Sequence, residues 1–390
     1  MNILVITDKP YPYGSAYSSR ARHFVLAFHS MEANVTVVSA NLDCSEAKAL
    51  EIENVNYISM QYAQNRITQL GIGVASRYAS CVKKLISENK YTAIFVNSIT
   101  YALPHICKIA QGKGIPVFVE KCEWYDPSSF MFGKLNPYYR EYIREIDSVR
   151  PDGYIVISPF FEEYYRRKGY RALLVPTILD IQNIDFSVHS VTTPIKIVFS
   201  GNLGKGKEII KPIAEAIQKL GDEAAQFSFV FYGPTEEQLR ENIRDDKLFS
   251  RVAPHITIAG KVPQKKVYSK LSGADYTIFL REQRKSSDAG FPTKLAESMA
   301  VGTPVIANST GSVGKYLKNE INGFLLEDAT GDQMVNVLKK VAAVKDEEYK
   351  QMRMMSRMTA EKWFDYEVYV QKIKAFIEGG KNGNGASEKR

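Results

Sequence analysis

Gly290-Phe291-Pro292-Thr293-Lys294-Leu295-Ala296-Glu297-Ser298-Met299-Ala300-Val301-Gly302-Thr303-Pro304-Val305-Ile306-Ala307 is the stretch on which the reading of this chain turns. Pro292 suits a first helical turn, where its missing N–H costs nothing, and Gly290 lets the backbone approach a ligand closely. Thr293 and Lys294 then stand at the positive end of a helix, and Glu297 follows one turn later on about the same face. Beyond Gly302 a β-branched run begins. A helix N-terminus with Lys294 attracts phosphate or sugar hydroxyls, and a carboxylate so placed accepts hydrogen bonds from a diol such as ribose. A helix with a capping threonine and a solvated Lys and Glu would look the same locally.

The alternation of short β-branched runs with longer helical patterns continues in both directions, which is the signature of parallel α/β sheets. Ile195–Phe199, Phe227–Tyr232, Ile256–Ala259, Tyr276–Leu280, Pro304–Ala307 and Gly323–Leu325 read as strands, with one helix per strand as far as Val344. Upstream, Asn2–Thr7, Asn34–Ser39, Asn56–Ser59, Ala93–Asn97, Pro116–Glu120, Gly153–Ser158 and Ala172–Val175 read as strands of a first doubly wound unit. The expected organisation is an α/β chain of two Rossmann-like domains facing across a cleft. They are a first domain over 1–180, a linker over 181–194 and a second domain over 195–345. A long helical stretch over 346–378 crosses back to brace the first domain, and a Gly- and Asn-rich flexible tail runs over 379–390.

Composition agrees with two globular domains. The 390 residues are 45% hydrophobic and 24% charged, with a net charge of +8. The positive excess is concentrated: residues 251–300 carry nine basic side chains against Asp275, Glu282, Asp288 and Glu297. A local excess amid Gly and Pro suits a phosphate pocket or a solvated basic face better than a nucleic-acid track, so no nucleic acid is expected. The four cysteines form no CxxC pair and no metal spacing, and they read as reduced thiols. No export signal and no run of 18 apolar residues is seen, so the expected location is cytoplasmic.

Two further loops suit anions. The first strand runs through a loop containing Gly14 and Ser15 into a helix, and Ile197–Ser200 runs into Gly201-Asn202-Leu203-Gly204-Lys205-Gly206-Lys207. Glycines permit close approach and lysines add charge. The second loop is neither a Walker A loop nor a dinucleotide fingerprint. Each loop also reads as an ordinary strand-to-helix turn.

Taken together, Gly290–Ala307, the Gly201 loop, Tyr232-Gly233, Ala259-Gly260-Lys261-Val262 and Val175-Pro176-Thr177-Ile178-Leu179-Asp180 resemble the family 4 retaining glycosyltransferases of the GT-B fold, over nearly the whole chain. The resemblance implies a nucleotide-sugar donor held mainly by the second domain and an acceptor on the first; no DxD pair is placed at a strand end, so no metal or other cofactor is expected. It matches Lys205 to the lysine that meets the diphosphate and Glu297 to the glutamate that binds ribose. Lys261-Val262 corresponds to the backbone that reads the nucleobase, Gly290, Phe291 and Pro292 to the loop whose amides hold the sugar, and Gly14 and Ser15 to the loop approaching the phosphates. Gly201, Asn202, Thr293 and Lys294 complete the donor set.

Three departures mark a divergent subgroup with a GFPTKLAE motif. Asn202 stands where the family usually has arginine, and Arg281 at a strand end is the expected replacement. Ala289 stands eight residues before Glu297 where a second glutamate is usual, with Asp288 one register away. The usual histidine after the fifth strand is missing from Val119-Glu120-Lys121-Cys122-Glu123-Trp124-Tyr125-Asp126. On the acceptor side Glu120, Glu123 and Asp126 beside Trp124 and Tyr125 suit carbohydrate, or else a loop that packs its Trp and exposes its acids. Glu123 is the favoured residue to engage the attacking hydroxyl.

The aromatic and basic helix carrying Tyr138, Tyr139, Arg140, Tyr142 and Arg144 could touch a membrane holding a lipid-linked glycan acceptor, or could pack on the domain. The expectation is a retaining, metal-independent glycosyltransferase of surface polysaccharide or glycoconjugate biosynthesis, with Lys205, Arg281 and Glu123 as its catalytic side chains. The alternatives are a GT-B nucleotide-sugar epimerase and an inactive sugar-nucleotide-binding scaffold.

Overall fold

The computed structural model describes residues 1–39, 42–60, 71–97, 101–203 and 208–380. They form two compact units, one of Met1–Ile178 with the chain from Tyr366 onward, the other of Leu179–Asp365. The first contains β1 (Asn2–Thr7), α1 (Ala16–His29), β2 (Asn34–Ser39), α2 (Cys44–Lys48), β3 (Val55–Ser59), α3 (Gly71–Glu88), β4 (Ala93–Asn97), α4 (Leu103–Gln111), β5 (Val117–Lys121), α5 (Pro137–Ser148), β6 (Gly153–Val156), α6 (Pro159–Arg167) and β7 (Ala172–Leu174). Its strands pair in parallel in the order β3-β2-β1-β4-β5-β6-β7. Such a sheet is covered on both faces, so Ile3, Leu4, Val5 and Ile6 of β1 are all buried and read as a continuous apolar run.

The second unit contains β8 (Ile195–Ser200), α7 (Lys211–Leu220), β9 (Phe227–Tyr232), α8 (Glu236–Ile243), α9 (Asp246–Val252), β10 (Ile256–Gly260), α10 (Val267–Ser272), β11 (Tyr276–Phe279), α11 (Lys285–Ala289), α12 (Thr293–Ala300), β12 (Val305–Asn308), α13 (Val313–Tyr316), β13 (Gly323–Leu326), α14 (Gly331–Ala343) and α15 (Asp346–Trp363). Its parallel order is β10-β9-β8-β11-β12-β13. Strand order therefore reverses between β1 and β4 in one sheet and between β8 and β11 in the other, and these are the points at which doubly wound sheets bind ligands. The expected one helix per strand gives way to two between β9 and β10 and two between β11 and β12. Asp245 caps α9 by accepting from the Leu248 amide at 2.9 Å, which starts a new helix where the preceding one ends at Arg244 in a left-handed conformation.

The segment read as a linker, 181–194, belongs to the second unit, because α15 staples it there. Arg353 is buried and donates to the carbonyls of Ser187 at 3.2 Å and Ala274 at 3.1 Å. Arg357, one turn on, reaches those of Ile181 and Ile184, both at 2.9 Å, and of Ala300 at 2.7 Å. The bracing stretch 346–378 is correspondingly divided. Its first helix stays with the second unit, the chain breaks after Trp363, and α16 (Val370–Gly380) joins the first. At the crossing Leu179 pairs with Asp365, and the Leu179 amide donates to the Phe364 carbonyl at 2.7 Å.

Within the first unit Ile373 and Ile377 of α16 enter the core of Phe24, Phe28 and Phe95. Gly153 lets α16 sit close, since a Cβ there would stand 2.7 Å from the Phe376 ring. Gly379 and Gly380, read as the start of the tail, end α16, and residues 381–390 lie outside the described residues.

Candidate functional site

At the β8/β11 reversal the chain leaves β8 through Gly201, whose φ of 142° favours glycine, while its amide donates to the Tyr232 carbonyl at 3.0 Å. Gly233, after β9, has φ 111°, and a Cβ on it would stand 2.2 Å from the Gly201 carbonyl oxygen. Neither turn can carry a side chain and nest on the other.

Into this turn comes Lys294 from the first turn of α12. A Cβ on Gly201 would lie 3.0 Å from its Nζ, which sits 4.4 Å from the Phe199 ring centroid. The Nζ donates to Glu208 Oε1 at 3.0 Å, and Arg281 Nε lies 4.0 Å from the same oxygen. Arg281 is fixed by Asn308, whose side chain accepts from its amide at 2.8 Å and donates to its carbonyl at 2.9 Å. Glu208 is held by a bridge to Arg281 and by the Ile209 amide donating to the Leu280 carbonyl at 2.9 Å. Two largely buried cations thus share one carboxylate at the carboxyl end of the sheet. Glu208 was not among the expected residues, and neither was Asn308.

The motif helix starts at Thr293, after Pro292 with φ −74°, while Gly290 ends α11 in an extended conformation. Phe291 is buried edge-on against Tyr316 and Phe364, each at 5.6 Å, so only its backbone is available to a ligand. Glu297 is half-buried; burial raises its carboxyl above the usual carboxylate range, and Lys294 pulls it back. Asp288 accepts from the Gly311 amide at 3.1 Å and is thereby committed to the loop after β12.

Asn202 is exposed; after β10, Lys261 is exposed and Val262 half-buried. Lys205 lies outside the described residues, with 204, 206 and 207. A cavity of about 830 Å³ opens beside Glu208, lined also by Leu203, Pro212, Asn242, Glu282 and Thr330, and among the described residues it includes none of the expected donor residues.

In the first unit the β1/β4 reversal is filled by a polar network. Thr7 donates to Asn97 Oδ1 at 3.0 Å, and Asn97 donates to Glu120. Glu120 is buried, paired with Arg20 of α1 and accepts from the Cys122 thiol at 3.1 Å. Arg20 also donates to the carbonyls of Pro176 at 2.6 Å and Val175 at 3.2 Å. Glu120, expected on the acceptor side, is therefore a structural ion-pair partner. The other acids of that loop, Glu123 and Asp126, are half-buried.

Burial and the Glu123 charge push the Tyr17 and Tyr125 hydroxyls up, and Tyr142 donates to the Glu123 carbonyl at 3.4 Å. Trp124 packs edge-on to Phe160 at 5.8 Å and Tyr164 at 5.4 Å, while the acids beside it are half-buried and not exposed. Gly14, with φ 122°, leads into Ser15, which caps α1 by accepting from the Ser18 amide at 3.1 Å. The deeply buried His23 on α1 has its pKa lowered to about 3 by burial and by Arg22 and Arg20, with Nδ1 2.7 Å from the Ser19 carbonyl.

Residues 180–361 match the family model described as glycosyl transferases group 1. Among curated proteins, the amylovoran biosynthesis glycosyltransferase AmsK of Erwinia amylovora is 27% identical over 30% of this chain and 28% of its own length. The putative colanic acid biosynthesis glycosyltransferase WcaL of Escherichia coli is 24% identical over 49% of this chain and 47% of its own. The matches thus span less than half of either relative. Among solved structures, sucrose-phosphate synthase from Thermosynechococcus elongatus superposes with a TM-score of 0.71, at 15% identity over 97% of this chain and 98% of its own. HepE of Anabaena, in complex with UDP and glucose, superposes with 0.67, at 14% identity over 96% and 99%. The chain has the GT-B fold.

Proposed function

We propose that the chain is a retaining glycosyltransferase that moves a sugar from a nucleoside diphosphate donor to a hydroxyl acceptor in the building of a surface polysaccharide. The observation that carries this reading is the convergence of Arg281 and Lys294 on one carboxylate at the β8/β11 reversal, inside the segment that matches the glycosyltransferase model. Charge develops on the departing diphosphate, so the chain must offer fixed cations and helix N-terminal amides to that anion. Arg281, Lys294, the start of α12 and, from the resemblance, Lys205 fill that role with no metal required. Glu297 accepts hydrogen bonds from the ribose diol, the backbone amides of Phe291 and Thr293 orient the sugar, and Glu123 orients the attacking hydroxyl. Relatives named for amylovoran and colanic acid biosynthesis support a polysaccharide product.

A thermal-shift panel of UDP, GDP, ADP and dTDP, followed by hydrolysis and transfer assays with the matching nucleotide sugars, tests the reading, because a ligand of the folded state raises its melting temperature. One nucleotide should stabilise the chain, and its sugars should be hydrolysed or transferred. Failure of all four to bind would overturn the reading. Glu208 favours a second one, a binding scaffold, because its carboxylate already takes up Lys294; binding without hydrolysis or transfer would select it.

A further inference from the structure

The connection between β5 and α5 carries Met131, Phe132 and Leu135, each about three-quarters exposed (75%, 74% and 74%). They are not on a loose loop. The preceding Phe130 is packed among Tyr125, Tyr138 and Tyr139 at 5.7 to 5.8 Å. The turn is closed by the amides of Gly133, Leu135 and Asn136 donating to the carbonyls of Phe130, Phe132 and Gly133 at 3.0 to 3.1 Å. The Asn136 side chain caps α5, accepting from the Tyr138 amide at 2.9 Å, and donates back to the Met131 carbonyl at 3.1 Å. Phe132 holds a left-handed backbone, φ 67°, which a bulky residue adopts only where its surroundings require it. An ordered turn thus buries one aromatic ring and directs three apolar side chains outward.

Its surroundings are basic. Over residues 130–144 the chain carries Lys134, Arg140 and Arg144 against the single carboxylate of Glu141, which pairs with Arg144 at 3.4 Å. Arg140 and Arg144 are exposed four residues apart on one face of α5, the helix that follows the tip. Three side chains cover far less than the roughly 800 Å² per partner that a stable protein interface needs, whereas shallow insertion of a few apolar residues, backed by cations, suffices at an anionic lipid surface. Among the described residues no helix is long and apolar enough to cross a membrane, so engagement would be by docking.

We propose that the Met131–Leu135 turn is a bilayer-docking tip that inserts Met131, Phe132 and Leu135 among anionic lipids while Lys134 and Arg140 meet their headgroups. The proposal goes beyond the glycosyltransferase reading and stands without it. It moves the expected membrane contact from the tyrosines of α5, which pack inward, to a turn ahead of that helix.

Co-sedimentation of the full chain with vesicles of equal parts phosphatidylcholine and phosphatidylglycerol, against pure phosphatidylcholine and without nucleotide, tests it. The chain should bind the anionic vesicles. A Met131→Asp/Phe132→Asp/Leu135→Asp variant should bind at least about tenfold more weakly, the order expected for losing several apolar side chains from the interface. Lys134→Gln/Arg140→Gln should weaken binding and flatten its salt dependence, and Phe132→Trp should retain it. The positions are exposed, so melting temperatures and nucleotide-induced shifts should stay as in the native chain, which separates this test from that of the enzymatic reading. Vesicle binding indifferent to the triple variant would overturn the proposal. So would absence of vesicle binding together with a dimer that the triple variant dissolves, which would make the tip a contact between copies.

Discussion

Lys294 Nζ and Glu208 Oε1 are 3.0 Å apart, so the cation that the motif helix presents is already matched by a carboxylate from the chain after β8. With Arg281 on the same oxygen, the cluster carries one net positive charge where two are available to a diphosphate.

Glu208→Gln should therefore tighten nucleoside diphosphate binding several-fold, by about 1 kcal/mol for a partly screened charge at this range, while lowering the melting temperature. Titration calorimetry and thermal melts read both. Unchanged affinity would mean that the anion does not meet Lys294.

Arg281→Ala and Lys205→Ala should each lower turnover roughly 10²- to 10³-fold, as removal of a fixed group facing a developing anion commonly does. Single-turnover kinetics at saturating donor checks this. Near-normal turnover in Lys205→Ala would make the Gly201 loop an ordinary turn.

In the proposed donor site Ala289 stands where the resembling family carries a second glutamate, so Glu297→Gln should cost ~1 to 3 kcal/mol of donor affinity. The loss should be non-additive with a 2′-deoxy donor, because both changes remove one contact. Burial raises the Glu297 pKa, so the ionised form that accepts from ribose is lost on acidification at a higher pH than for a solvated glutamate. The ratio of native to Glu297→Gln affinity should fall toward one over that range, with the diphosphate's own titration cancelling.

Glu120 and Arg20 pair inside the first unit, so Glu120→Ala should destabilise that unit by about 3 to 5 kcal/mol, because it strands a buried guanidinium. Replacing both by apolar residues should cost less than the sum of the single changes. Urea denaturation measures this, and the nucleotide-induced thermal shift should persist in variants that fold. A cost below about 1 kcal/mol would mean that the pair is solvated.

His23 is neutral in the fold, with a pKa lowered to about 3 against its usual 6.5. A depressed histidine contributes stability above its unfolded pKa and loses it as pH falls toward the folded one, roughly 3 kcal/mol by pH 4. His23→Gln should flatten the melting-temperature curve between pH 6.5 and 4, and an unchanged slope would assign acid sensitivity elsewhere.

The strands were legible because buried parallel strands are continuous apolar runs between Gly, Pro and Asn. Asn2–Thr7, Asn34–Ser39, Ala93–Asn97 and Phe227–Tyr232 match residue for residue, and the other strands differ at one or both ends by one or two residues. Less legible were residues whose partners are distant. An arginine on the inner face of α1 and a glutamate in a buried strand are each conspicuous, since charges are buried only when paired, yet nothing local links Arg20 to Glu120. Glu208 has no sequence signal, since a bridge to Arg281 places it. Nothing in the sequence around Arg353 and Arg357 marks them as buried, and only the carbonyls of 181–187 explain why the linker belongs to the second unit. The Phe132 turn escaped because sequence does not tell which of two nearby phenylalanines is packed: Phe130 lies among tyrosines while Phe132 is exposed.

The chain enters the second unit at Leu179 and leaves it at Asp365, one hydrogen bond apart. A segment with adjoining ends behaves as a cassette. It can be cut from the gene as one uninterrupted piece, closed on itself by a short join, or exchanged for the equivalent piece of another protein with only two splice points to match. Recombination could thus replace the second unit whole while the first, built from the chain on both sides of it, stays intact.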